Sequence, residues 1–385
     1  AKTGNATDPY NLQNTYLISS SEYNSQLFYF FGVNEEGAGA GASLRNPNLV
    51  AEISTNVEFG FDARFFDDRL SFNATYYNID TKNQILELSL PPSSGANEQV
   101  INAGLINNRG FELGLSADII KAKDFNWTTN VNFSKNISKI EELAQGIEVQ
   151  VRERQFNDVV QVGGKLGDPL WSLFGSTYER DTDGNIVYDS NGLPMVGGID
   201  KIGSTNPDAL ANLRNTFTYK NFSLSILLDA KFGGDVFSFS DMVRATSGTD
   251  EITLEGREYF TGGNGILVPS GAVIDGTLDA DVAARGVNPQ EYWGRLGQIS
   301  ERWVQDASFV KLRELSVSYN FPTTVLDKLN ISRLSLSYFG RNLAILHKNT
   351  ANFDPETGFN NSFSGVEYFG FPSTSSHGIK LNVSF

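Results

Sequence analysis

Between Val57 and Tyr77 apolar and polar residues alternate almost without fault. Val57, Phe59, Phe61, Ala63 and Phe65 share one parity, and Glu58, Gly60, Asp62 and Arg64 the other. After the polar corner Phe66-Asp67-Asp68-Arg69, Leu70, Phe72, Ala74 and Tyr76 alternate with Ser71, Asn73, Thr75 and Tyr77. A period of two places successive side chains on opposite faces of an extended strand. Two such runs around a tight corner predict an antiparallel hairpin with one apolar and one wet face.

The pattern recurs along the chain. Phe111, Leu113, Leu115, Ala117 and Ile119 oppose Glu112, Gly114, Ser116 and Asp118. Past the corner Lys121-Ala122-Lys123-Asp124, Phe125, Trp127, Val131 and Phe133 alternate with Asn126, Thr128, Asn130 and Asn132. Leu213, Phe217 and Tyr219 lead into the corner Lys220-Asn221, and Phe222, Leu224, Ile226, Leu228, Ala230 and Phe232 follow it. Strand character returns over Phe309–Tyr319, passes a corner at Pro322 and continues through Leu334, Leu336 and Tyr338. Ile379, Leu381, Val383 and Phe385 share one last face. Nine strands are predicted, with a tenth before residue 46, where a polar, glycine-rich stretch carries aromatics at Tyr16 and Leu27–Phe31.

The connections between these strands are unequal. Three corners are two to four residues long, whereas the excursions at 145–205, 240–298 and 346–372 are long. The first of these holds turn residues such as Gly163-Gly164, Asp168-Pro169 and Gly197-Gly198. Short turns at one end and long loops at the other are the layout of an outer-membrane barrel, whose apolar strand face meets lipid and whose wet face lines a lumen. A soluble sandwich would bury the apolar face as a core and has no reason to gather its long loops at one end. The expected fold is all-β, a transmembrane antiparallel β-barrel with short periplasmic turns and long extracellular loops.

Composition narrows the functions. The 385 residues carry a formal net charge of −15, which would repel the phosphates of nucleic acid. No run approaches 18 apolar residues, so no membrane helix is expected. Without cysteine there are no disulfides or thiolate metal sites. His347 and His377, the only two histidines, make histidine-based catalysis or a zinc site unpromising. No catalytic constellation, phosphate-cradling loop or cofactor motif stands out, so an enzyme is not expected. Ala1-Lys2-Thr3-Gly4-Asn5 lacks the basic start and apolar core of a signal peptide. Either export signals have been removed or the chain is an internal fragment.

Several segments, taken in order, resemble the SusC/RagA family of TonB-dependent outer-membrane transporters of Bacteroidetes. They are Asn46-Pro47-Asn48-Leu49; Phe66–Ser71 with Tyr76–Lys82; Asn102–Glu112; and Tyr219–Leu224 with Gly233-Gly234-Asp235-Val236. Arg302-Trp303-Val304 and Phe309–Ser316 through Pro322 match best, followed by Arg341-Asn342-Leu343 and Asp354-Pro355-Glu356. The resemblance implies a barrel of about 22 strands, of which residues 1–385 would supply the C-terminal part, with the plug domain and TonB box upstream. It also implies import of a large nutrient, a glycan or peptide oligomer, together with a SusD-like surface lipoprotein and TonB. The alternative reading is a passive pore or structural barrel without TonB coupling.

Ligand contacts in such a barrel are expected on its loops. Trp171, Tyr178, Tyr292, Trp293, Phe359 and Tyr368 are aromatics outside the strand pattern that could stack on sugar or peptide groups. They could equally pack the loops or join an interfacial aromatic girdle. Asp181-Thr182-Asp183-Gly184-Asn185 has part of a calcium-loop pattern but lacks the downstream bidentate Glu, and an Asp-Gly turn explains it as well. Asp67-Asp68 and Glu141-Glu142 read as solvated turn residues.

Overall fold

The computed structural model describes residues 2–5, 12–13, 16–20, 27–31, 43–89, 98–102, 104–143, 149–156, 158–326, 331–360 and 363–384. Its frame is one ten-stranded antiparallel sheet in which each strand pairs with the next along the chain. The strands are β1 (Lys2–Asn5), β2 (Glu52–Phe65), β3 (Leu70–Lys82), β4 (Leu105–Lys121) and β5 (Phe125–Glu142). They continue as β6 (Ala209–Tyr219), β7 (Phe222–Phe232), β8 (Phe309–Asn320), β9 (Arg333–Lys348) and β10 (Ser376–Ser384). The nine strands expected from the alternation are all present. The sheet's remaining strand is β1, which no alternation marks and which pairs with β2 through Lys2↔Thr55 to Asn5↔Glu52.

Register carries the apolar parity of each strand onto one common face. Trp127 pairs with Phe217, Phe217 with Leu224, Leu224 with Val317, Val317 with Tyr338, and Tyr338 with Ile379. Nearer the turns, Phe125, Tyr219, Phe222 and Tyr319 form an aromatic row, with the Phe222 and Tyr319 rings 4.6 Å apart. This face is bare: Phe59 is 69% and Ile379 77% exposed. A continuous apolar face that no described residue covers is a surface made for hydrocarbon. The opposite face is laced with polar pairs. Asn132 donates to Asn212 (2.9 Å), Thr128 to Asp118 (2.9 Å), Tyr77 to Asn136 (3.1 Å) and Ser318 to Ser337 (2.8 Å).

The tight connections share one end. The β2–β3 corner is set by left-handed Phe66, Asp67 and Asp68, with φ of 57°, 52° and 63°, and the β6–β7 corner by Lys220 at 52°. The β8–β9 connection is longer and holds the helical turn Thr323–Leu326. At the other end the loops are folded, which corrects the expectation of irregular excursions. Residues 145–205 contain a four-stranded sheet of Val149–Gln155, Val160–Lys165, Ser172–Tyr178 and Val196–Ser204. Gly163-Gly164 and Gly197-Gly198 are therefore strand residues rather than turns. A Cβ on Gly164 would lie 2.5 Å from Ile140, and one on Gly197 would lie 2.7 Å from Thr177 Oγ1. Glu141-Glu142 likewise close β5 instead of turning, because Ile140 and Glu142 still pair with β4. The described residues before position 46 form four short strands where one was expected. Residues 240–298 hold helices α1 (Phe239–Thr246), α2 (Ala280–Arg285) and α3 (Pro289–Leu296).

These loops contain the main apolar core of the described residues: Val160, Val162, Leu173, Phe237, Met242, Ala245, Ile266, Trp293, Leu296, Ile299, Trp303 and Val366. No described helix is long and apolar enough to cross a membrane.

Adjacent residues of β5 test the assignment of faces. Val131→Arg, on the bare face, is expected to lower folding stability in bilayers by about 2–4 kcal/mol. Asn132→Arg, on the wet face, should change it by no more than about 0.5 kcal/mol. Denaturant titration of the two variants in lipid vesicles measures both.

Candidate functional site

At the loop end of the sheet, β8 carries Phe309-Val310-Lys311-Leu312-Arg313-Glu314, in which charge interrupts the alternation. A β-bulge resolves the interruption. Leu227 pairs with Glu314 and Leu228 with Leu312, so Arg313 is an extra residue on β8. On β9, Leu312 pairs with Ala344 and Glu314 with Arg341, leaving Asn342 and Leu343 extra. Asn342 takes a left-handed φ of 51°. Lys311 and Glu314, three apart, would face opposite sides of a regular strand; the bulge turns both to the wet face.

An ion-pair network follows. Lys311, only 2% exposed, donates to Asp354 (2.6 Å) and Glu356 (2.5 Å) of the last loop. Arg313 donates to both oxygens of Glu356 (3.0 and 2.8 Å), to Asp229 on β7 and to Asn342 Oδ1 (2.9 Å). Ser373 Oγ donates to Asp354 (2.5 Å). Deeper in the lumen Glu314 accepts from Arg214 (3.1 Å) and Arg341 (3.3 Å). The segments around Lys311, Asn342 and Asp354 thus meet as one latch that ties loop 349–375 to the inner wall. Burial acts to raise the Asp354 carboxyl, but the hydrogen bonds from Lys311 and Ser373 outweigh it and hold it down at about 2. Glu356 is lowered in the same way, its burial overcome by Arg313 and Lys311.

Past the latch, the loop turns on a second buried carboxylate. Glu367, 1% exposed, accepts from Ser238 Oγ (2.8 Å), Ser240 Oγ (2.7 Å) and the Gly370 amide (3.2 Å). Ser238 also caps α1 by accepting from the Asp241 amide (3.1 Å). Three hydroxyl and amide donors satisfy a carboxylate that no cation touches among the described residues.

The six aromatic candidates separate by environment. Trp171 packs, partly buried, against the main core and against a smaller cluster of Ile106, Ile140 and Leu170. Tyr178 is partly buried against the main core, which pushes its phenol up to about 12. Tyr292 meets Trp293 edge-on at 5.5 Å, and Trp293 is itself a core residue, 8% exposed. Phe359 lies in the two-residue strand Phe359–Asn360, and its side chain is outside the described residues. Tyr368 alone of the five described is classed with the solvent-exposed residues, at 48%. Asp181 folds its own turn, accepting from the amides of Asp183 (3.0 Å) and Asn185 (2.8 Å). Those hydrogen bonds, that from the Asn185 side chain first, lower its carboxyl. Among the described residues no group of three or more histidine, cysteine or acidic side chains is placed to hold a metal.

The latch and the Glu367 anchor were missed in the sequence. Lys311 and Arg313 did signal by breaking the alternation; Ser238, Ser240 and Glu367 gave no signal.

An antiparallel wall, bare and apolar outside, polar inside, with tight turns at one end and a folded loop layer at the other, defines an outer-membrane β-barrel protein. The chain belongs to the family described as "TonB dependent receptor-like, beta-barrel", whose pattern matches residues 3–343. Its residence is therefore the bacterial outer membrane, and the family is one of transporters, not enzymes. The chain is similar to TonB-dependent receptor P3 of Formosa agariphila, at 26% identity over 88% of this chain and 35% of the relative. TonB-dependent receptor P26 of the same organism is 25% identical over 100% of this chain and 39% of its own length. Among solved structures, the RagAB peptide transporter superposes with a TM-score of 0.72 at 20% identity, over 100% of this chain and 40% of that one. The chain thus spans about two fifths of the relatives it matches.

Two outcomes follow for the latch. Lys311→Ala leaves the buried Asp354 carboxylate without its cation, and breaking a buried ion pair in this way typically costs about 3–5 kcal/mol. Hydrogen exchange across 349–375 should accelerate in this variant while that of the β2–β3 hairpin stays unchanged. A carboxyl lowered in the folded state stabilises above its unfolded pKa and loses that contribution as pH falls through the folded value. The Asp354 contribution to protection of the same loop should therefore be full at neutral pH, decline below its ordinary value of 3.8 and be lost at about 2.

Proposed function

We propose that residues 1–385 are the C-terminal part of a SusC-like importer's barrel, with the plug domain and TonB box upstream. The substrate is an oligomeric nutrient, a glycan or a peptide. A SusD-like surface lipoprotein covers the loop end, and TonB supplies the energy. The observation that carries this reading is the folded loop layer, latched to the lumenal wall by Lys311 and Arg313. A passive pore needs only a wall, whereas a loop layer with its own core forms a shaped vestibule able to hold a large ligand before it passes inward. The coverage of about two fifths of the Formosa receptors agrees with a C-terminal portion of a longer protein. The RagAB neighbour is described as a peptide importer seen in "open-open" and "closed-closed" states, which fits a mouth that a partner opens and closes.

Uptake of labelled oligomers by cells tests this reading. Deletion of the gene, or of TonB in cells that retain it, should abolish uptake of the substrate oligomer. Uptake that persists without TonB, or steady ion conductance through the purified protein in planar bilayers, would favour the passive pore instead.

A further inference from the structure

Three loops distant in sequence bring aromatic rings together beside the latch. Phe156, between two strands of the loop sheet, stacks on Phe239 of α1 with centroids 3.9 Å apart and planes at 19°. Tyr368 lies 5.0 Å from Phe156 and 5.4 Å from Phe239. Phe369 lies 5.2 Å from Tyr368 and meets Phe239 edge-on at 6.5 Å. Phe156 and Phe369 both hold left-handed backbone, with φ of 53° and 43°. For a bulky side chain that conformation costs on the order of 1–3 kcal/mol and persists only where the surroundings impose it.

At Phe369 the surroundings impose it. Phe237 and Ser238 pair in parallel with Val366 and Glu367, the Glu367 carboxylate is held by Ser238 and Ser240, and the Phe369 amide donates to Ser240 Oγ (2.6 Å). Tyr368 and Phe369 are thus held in place before any ligand arrives, yet they and the nearby Phe371 remain 48%, 52% and 94% exposed. Phe371 stands at the rim of a cavity of about 330 Å³ that Asp354, Glu356 and Thr357 also line.

We propose that this cluster, with the exposed Phe371 two residues further along the same loop, is a docking platform for an apolar or aromatic side chain of an imported peptide; it rests on the import reading above. The polar groups around the rings decide between peptide and glycan. A sugar stacked on an aromatic face also needs partners for its hydroxyls, and specificity for hydroxyls comes from such partners. Here the neighbouring carboxylates are already engaged. Glu367 is taken by Ser238, Ser240 and Gly370, Asp354 by Lys311 and Ser373, and Glu356 by Lys311 and Arg313. Four of the five rings are phenylalanine, which offers apolar area and a π face but no polar handle. The net charge of −15 further disfavours polyanionic oligomers and suits neutral or cationic peptides.

The test uses the whole protein purified from outer membranes in detergent. Two oligopeptides that differ only in a central Phe or Asn, and a neutral oligosaccharide, are titrated calorimetrically. The Phe peptide should bind about tenfold more tightly than the Asn peptide, the equivalent of about 1.4 kcal/mol. The double variant Tyr368→Ala, Phe371→Ala should erase that difference, and Tyr368→Phe should retain it. Both replaced side chains are exposed, so their loss does not open the core.

Equal affinity for the two peptides, a difference that survives the double variant, or failure of both to bind overturns the platform. Loss of oligosaccharide binding alone in the double variant assigns the rings to a glycan and overturns the peptide. A protein that discriminates between the peptides as expected but takes none into cells leaves the platform standing and removes the import reading.

Discussion

The structure depends on one constraint: in hydrocarbon every backbone amide and carbonyl needs a partner within the protein. A meander of hydrogen-bonded strands meets it, and the period-two alternation then decides which face each side chain meets. Register is correspondingly strict, because a slip of one residue would send Asn132 and Arg214 into lipid and Phe217 and Leu224 into the lumen. The bulge at Arg313 shows how charge is accommodated within this rule. It changes parity once, at the loop end, so that Lys311, Arg313 and Glu314 find their partners Asp354, Glu356, Arg214 and Arg341.

A wall that is greasy outside and wet inside buries little apolar surface of its own, and the main core lies instead in the loops. Trp293, Trp303, Leu296 and Phe237 pack there as they would in a soluble domain. The latch couples this layer to the wall through buried charges, and Glu367 fixes the geometry of the aromatic segment behind it. Buried ionic contacts are poor sources of net stability but strict about geometry. That suits a mouth whose loops must keep a defined shape above a membrane-embedded frame.

Much of the wall was legible in the sequence because the Val57–Tyr77 and Phe222–Phe232 alternations reflect two different solvents on two faces. β1 was not, since Lys2-Thr3-Gly4-Asn5 has no apolar parity and is a strand only by pairing with β2. The loop sheet was hidden for a different reason. Val160, Val162, Gly163 and Gly164 are all buried, so the alternation disappears, and glycines that relieve close contact read as turns. Within the candidate site, aromatic type alone could not separate the buried Trp293 from the exposed Tyr368, because burial there is set by contacts between loops far apart in sequence. The latch partners lie 43 residues from one another along the chain, beyond the reach of any local pattern.

The apolar face of the wall meets lipid, and Trp127 reports on that contact directly. This indole lies on that face, stacked on Phe217 at 5.6 Å, with its N–H donated to Asn215 (2.9 Å), whereas Trp171, Trp293 and Trp303 pack in the loop layer. The decisive measurement is tryptophan fluorescence in bilayers with and without brominated acyl chains, comparing the protein with its Trp127→Phe variant. The account predicts a lipid-quenched component that disappears in the variant. Identical quenching in both proteins would contradict it.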